Sequence, residues 1–237
     1  MTTPGRTTPA EWRARLQGTL EAFDETGGHR VLGEVLDELG VEDALTLVVL
    51  PYLHDVGERW SSGAIGVGQE HFASNVIRLR LSVLMGTDEP AGGPLAVLAC
   101  MPGERHEFGL MATTIALGRL GWRTCYLGAS TPTAELVHSC RTLEPDVVIL
   151  SAHRTTAFAA QAPALRRMAE TTPVLLAARG ATEEVAGLCH ASVLSGDPCE
   201  AARSVHAELG RTGGPFDDLD DLDDLDDLDD LDEPTAV

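Results

Sequence analysis

From Leu95 onward the chain alternates short apolar runs with segments of helical periodicity, and few folds accommodate that alternation. The pattern predicts strands at Leu95–Met101, Arg123–Leu127, Asp146–Leu150, Val174–Ala177 and Ala191–Leu194. It predicts helices at Phe108–Leu120, Thr133–Leu143, Ala157–Glu170, near Glu183–Leu188 and at Glu200–Gly210. Strands separated by helices pair in parallel through crossovers, and the helices then cover both faces of one doubly wound sheet. Such sheets hold their ligands beyond the carboxyl ends of the strands. No GxGxxG follows the first strand, so a dinucleotide is a weak expectation.

The preceding residues carry a different period. Trp12, Leu16, Leu20 and Phe23 recur about every four residues, which predicts a helix from Pro9 closed by Gly27-Gly28. A second helix is expected at His29–Leu39, stopped by Gly40. A third runs from Val41 to Trp60, with Leu47, Leu50, Leu53 and Val56 apolar and Pro51 as a kink point. After a tight Ser61–Gly66 connection, a fourth spans Val67–Met85 with Phe72, Val76, Leu79 and Val83 turned inward. Four helices with short links make a small bundle. The expected organisation is a disordered start (1–9), a four-helix bundle (10–88), a Rossmann-like α/β domain (93–211) and a disordered acidic tail (212–237), with the boundary in Thr87–Pro94.

Charge and composition remove several classes of function. All 17 basic residues are arginine, so a P-loop lysine and Schiff-base chemistry are excluded. The net charge is −20, of which Asp217–Glu233 supplies −12 through eleven Asp and one Glu; the remainder still carries −8. An acidic body does not attract phosphate backbones, and the residues before Trp12 are too few for a helix-turn-helix, so direct DNA binding is not expected. The five cysteines are scattered without a CxxC pair and read as reduced, mostly buried small hydrophobes. No apolar run is long enough to cross a membrane and no signal peptide opens the chain, so the expected location is cytoplasmic. The tail repeats Asp-Asp-Leu five times, which reads as a solubilising segment, or alternatively as a docking segment for a basic partner.

The chemistry concentrates at Pro102-Gly103-Glu104-Arg105-His106-Glu107-Phe108-Gly109, between the first predicted strand and its helix. A carboxylate two residues from an imidazole, on a strand-to-helix loop, suits a metal ligand whose tautomer and basicity the carboxylate sets. The plainer alternative is a surface Glu and His on an ordinary turn. Two further stretches bear on the choice: Ser151-Ala152-His153 directly after another apolar strand, and Trp60 followed ten residues later by Glu70-His71.

Glu104-x-His106-x-x-Gly109, then Ser151, then the small-residue turn Ala177-Ala178-Arg179-Gly180, resembles the cobalamin-binding domain shared by methionine synthase and related corrinoid proteins. Trp60…Glu70-His71 resembles the light-dependent cobalamin repressors, in which a helical bundle caps the corrin. The resemblance runs from about Glu11 to Gly210. It implies a helical bundle capping a Rossmann-like cobalamin-binding domain, with His106 as lower axial cobalt ligand and Glu104 accepting its other ring N–H. It further implies that Gly109, Gly128 in the Leu127–Pro132 turn, Ser151, Ala177 and Gly180 line a groove for the cofactor's displaced nucleotide tail. Trp60 would pack over the upper ligand, Glu70 would bond the sugar of an adenosyl group, and His71 would lie beside it.

The sequence departs from the pattern at three places. Ala177-Ala178 stands where Gly-Gly is usual, His153 where Leu is typical, and Ser61 where the light sensors carry a histidine for the upper cobalt position. Without a DNA-binding segment the chain is also similar to photocobilins, which adds biliverdin as a second chromophore, with Arg78 and Arg80 as candidate propionate partners. The remaining histidines (His29, His54, His138, His153, His190, His206) are expected to be structural or exposed.

The resemblance thus implies a non-catalytic light sensor. It would hold adenosylcobalamin in the dark and change its conformation, its homo-oligomeric state (dimer or tetramer) or its binding of an output protein on illumination. A corrinoid methyl carrier for a cobalamin-dependent methyltransferase is the alternative that uses the same His106.

Overall fold

The computed structural model describes residues 7–86 and 92–210. The acidic tail (212–237) lies wholly, and the expected boundary segment Thr87–Pro94 and the 1–9 segment lie partly, outside the described residues.

Helix α1 (Pro9–Glu21) starts at a capping box in which Thr8 and Glu11 satisfy each other's backbone N–H groups. It ends well before Gly27-Gly28, because Asp24 caps α2 (Glu25–Leu39) and accepts from the Gly27 N–H at 2.8 Å. The two glycines therefore lie in the first turn of α2 rather than after α1. A β-carbon on Gly28 would meet Leu20 Cδ2 at 2.7 Å, so the glycine serves the close crossing of the two helices. Phe23, read as the last apolar position of the first helix, falls past its end in the left-handed region (φ 56°) and packs on Phe72 with ring centroids 5.1 Å apart.

The third predicted helix is one rod of three parts: α3 (Val41–Asp43), a π-helical segment (Ala44–Val49) and α4 (Leu50–Ser61). Pro51 sits in the first turn of α4, just beyond the wide turns. Each π turn takes an extra residue, so the inward face shifts from the expected Leu47, Leu50 and Leu53 to Ala44, Leu45, Val48, Val49 and Tyr52; Val56 remains buried. On α5 (Val67–Met85) the buried stripe is Ala73, Val76, Ile77 and Leu81, whereas Leu79 and Val83 are 54% and 55% exposed.

The sheet comprises β1 (Leu95–Cys100), β2 (Arg123–Gly128), β3 (Val147–Ser151), β4 (Val174–Ala177) and β5 (Ser192–Val193), all parallel in the order β2-β1-β3-β4-β5. The intervening helices are α6 (Phe108–Arg119), α7 (Thr133–Leu143), α8 (Thr155–Ala159), α9 (Ala162–Ala169), α10 (Glu183–Cys189) and α11 (Pro198–Leu209). The single helix expected at 157–170 is two, because Pro163 lacks the N–H that a continuous helix needs and opens α9 instead.

Alternate strand residues feed two cores. Ala96, Leu98, Val147 and Ile149 pack with α6, α11 and the helical region; Val97, Ala99, Val148 and Leu150 pack under α7 to α10. The helical region thus shares one continuous core with one face of the sheet. Among the described residues, no helix is long and apolar enough to cross a membrane.

Candidate functional site

The strand order reverses between β1 and β3, and at such a switch point open α/β sheets offer a ligand crevice beyond the carboxyl edge. Glu104 and His106 lie on the first loop and His153 on the second. Glu104, only 7% exposed, ties the neighbouring loops together. Its Oε1 accepts the backbone N–H groups of Arg105 and His106, both at 2.8 Å, and contacts His106 Nδ1 at 2.5 Å. Its Oε2 accepts the His153 N–H at 2.6 Å. The turn after β2 joins in: Gly103 N–H donates to Ser130 Oγ at 3.0 Å, and Ser130 N–H to the Glu104 carbonyl at 2.8 Å.

Burial alone would raise the Glu104 carboxyl. The backbone N–H groups of His106 and His153, with the His106 ring, outweigh it and hold the pKa down at about 2. The carboxylate is therefore permanently charged at neutral pH. His106 Nδ1 faces it, while 72% of the His106 side chain is exposed to solvent. With the proton on Nδ1, the Nε2 lone pair is the ring's free donor. The His153 ring lies 4.4 Å from the His106 ring, centroid to centroid, with Nδ1 3.5 Å from Glu104 Oε2. Burial, and then the charge of His106, lower its pKa. Cys100 lies beneath the loop, and burial pushes its thiol up to about 12, so it offers no thiolate to the crevice.

The small residues named from the sequence line the same edge. Ser151 is buried at the end of β3, in register with Cys100 and Ala177. Gly180 is a place of close approach: a β-carbon there would meet the Ala152 carbonyl oxygen and the Arg154 backbone at 2.7 Å. Gly128 has φ 85° at the end of β2, which favours glycine. Gly109 has no such demand, since an added β-carbon would only touch Pro198 at 4.0 Å. Ala178 adopts φ 70°, a left-handed conformation in which its methyl group is strained.

Trp60, Glu70 and His71 lie on the helical side and make no hydrogen bond or ion pair with Glu104 or His106. Trp60 is 49% exposed, so ordinary core packing does not account for it. Glu70 accepts from the Ser74 hydroxyl at 2.8 Å, and His71 Nδ1 contacts the Val67 carbonyl at 2.8 Å. The Ser61 hydroxyl is turned back on the Glu58 carbonyl at 2.9 Å.

Two features escaped the sequence reading. His153, grouped there with structural histidines, stands against His106. Glu107, one residue past His106, accepts from Arg78 Nε on α5 and from the Tyr126 hydroxyl on β2, each at 2.7 Å. This buried carboxylate joins the helical region to the loop of His106, and it occupies Arg78, the arginine weighed as a propionate partner. The only sequence signal was a second acid inside the Pro102–Gly109 stretch, and its partners are distant in the chain.

Residues 12–85 match the sequence profile of the B12 binding domain. The chain is 39% identical over 140 residues to the HTH-type transcriptional repressor CarH of Myxococcus xanthus, a match covering 59% of this chain and 47% of that protein. It is 37% identical over 193 residues to the HTH-type transcriptional repressor CarA of the same organism, covering 78% of this chain and 64% of that one. The matches thus span between about half and two thirds of these relatives' lengths. Among solved structures, the monomethylamine corrinoid protein of Methanosarcina barkeri shares the fold, with a TM-score of 0.68 at 18% identity over 85% of this chain and all of that one. The helical residues ahead of the sheet are thus similar to a B12 binding domain, and the chain shares its fold with a corrinoid protein.

Proposed function

We propose that the chain is a light sensor that binds adenosylcobalamin between its helical region and the crevice of its sheet. The observation that carries the reading is His106: an exposed imidazole, fixed through Nδ1 by a buried, permanently ionised carboxylate, at the switch point of a parallel sheet. That is what an axial ligand to a corrin needs, a neutral nitrogen donor held in one tautomer by a hydrogen-bonded neighbour. The residues present fit the group. His106 offers Nε2, Glu104 holds the ring, and Gly180 permits the close backbone approach that shapes the crevice wall.

When bound, adenosylcobalamin supplies a cobalt–carbon bond that light cleaves. The protein's own residues do the rest. Glu104 keeps the Nδ1 proton and so the donor strength of Nε2. Half-exposed Trp60 offers an apolar plane whose burial by the upper ligand is favourable. Glu70, a carboxylate on the same helical side, offers an acceptor for a sugar hydroxyl. Arg78 lies eight residues after Glu70, about 12 Å along α5, and its bond to Glu107 couples that helix to the loop of His106. A shift of the helical region is thereby felt at the ligand loop, which is the two-state element a switch requires. We further propose that this shift changes the self-association of the chain or its hold on an output protein.

A corrinoid methyl carrier would use the same His106. It has no need of Glu70, and it must uncover its metal to partner enzymes, whereas the sensor reading gives exposed Trp60 the role of covering the upper ligand. Biliverdin gains no support: Arg78 is already paired with Glu107, and the Nε of Arg80 is buried.

The test is retention of adenosylcobalamin through desalting in darkness, read by absorption. The native chain should retain about one equivalent. His106→Ala should alter the spectrum, and Trp60→Ala should weaken retention of the adenosyl form over a form without it. Passage of the corrin straight through the column would remove the proposal.

A further inference from the structure

We propose that Glu104, His106 and His153 form a second kind of metal site, one for a free divalent transition ion of the zinc or cobalt(II) class. The ligating atoms of these three side chains all lie within 4.8 Å of one another, and no other cluster of this kind occurs among the described residues. Both imidazoles turn Nδ1 toward the same carboxylate, at 2.5 Å for His106 and 3.5 Å for His153. Metal–nitrogen and metal–oxygen bonds of about 2.0–2.2 Å place the ligands of a tetrahedral ion roughly 3.3 Å apart. The His153 spacing is near that value already. The His106 spacing needs to open by somewhat under an ångström, as the ion replaces the proton now shared with Glu104.

Two imidazoles and a carboxylate are a donor set that suits such ions, with water in the remaining position. Both rings reach solvent, so an ion can enter, and the backbone bonds to Glu104 hold the two loops in place beforehand. His153 has no part in the corrin reading, whereas Glu104 and His106 are shared with it.

A consequence follows that does rest on the corrin reading. A neutral imidazole has one lone pair. An ion on Nδ1 of His106 leaves the proton on Nε2, so the ring cannot then ligate a corrin. Free metal and corrin are mutually exclusive, and the ion acts as a competitor for cofactor loading.

Zinc chloride titrated calorimetrically into the full chain, purified without corrin, tests the site directly. One ion per chain is expected, with affinity lowered at least tenfold in His153→Leu and in His106→Ala. Cobalt(II) should give visible absorption bands that His153→Leu loses, and circular dichroism checks that each variant is folded. Equal zinc affinity in the native chain and His153→Leu, or no saturable binding, overturns the site. Zinc should also block adenosylcobalamin retention by the native chain and not by His153→Leu; equal retention with and without saturating zinc overturns the exclusion. If neither protein retains corrin at all, it is the corrin reading that fails, and the calorimetry still decides the metal site.

Discussion

Glu104 Oε1 takes three N–H partners from its own loop, and Oε2 reaches across to the loop of another strand. Replacing it by Gln keeps the shape but removes the charge those donors face. The carboxyl falls from an ordinary 4.5 to about 2, and at about 1.4 kcal/mol per unit the bonded carboxylate contributes roughly 3 kcal/mol. Because the folded pKa is the lower one, that stability is complete above pH 4.5 and is lost as the pH falls toward 2. Urea unfolding of the native chain and Glu104→Gln should differ by about 3 kcal/mol at pH 7, and the gap should close in that acid window. A second residue-scale prediction concerns Ala178 at φ 70°. Ala178→Gly relieves a left-handed conformation that disfavours an L side chain by about 1–2 kcal/mol, so a small gain in stability is expected after the entropy of the freer glycine is subtracted. At this scale the pairing of Glu104 with His106 was legible, since two residues of spacing keep both on one loop. His153 was not legible beside them, because its position depends on the alignment of β1 with β3.

The elements explain which periodicities could be trusted. Continuous apolar runs identify buried parallel strands, and they did so here for β1 and β3, which are covered on both faces. The inward face of α5 was misread at Leu79 and Val83, because an apolar side chain on a helix does not declare which neighbour covers it. The third rod misled for another reason: π turns change the period on which any 3.6-residue reading depends. Between elements, the bond from Arg78 to Glu107 is a polar link of α5 to the sheet side. Arg78→Ala leaves Glu107, 9% exposed, with only the Tyr126 hydroxyl as a side-chain donor, and a loss of about 2–3 kcal/mol is expected. A double-mutant cycle with Glu107→Gln should recover a coupling of at least about 1 kcal/mol; additive losses would show that the two residues do not act as a pair.

The whole molecule joins a helical region to one face of a parallel sheet through a continuous core, and the imidazole of interest lies on the loop that a bond from the helical region reaches. The strand–helix alternation announced the sheet, and the four-residue stripes announced the helical region. The core they share, and the Arg78 link between them, required three dimensions. The central claim is that light acting on a bound corrin alters this molecule's assembly. The direct measurement loads the full chain with adenosylcobalamin in darkness, removes excess cofactor, and records absorption and elution volume before and after green light. A spectral change accompanied by a changed elution volume is the expected result. A retained corrin whose spectrum responds to light while the elution volume and the hold on any partner stay constant would contradict a sensor and leave a methyl carrier.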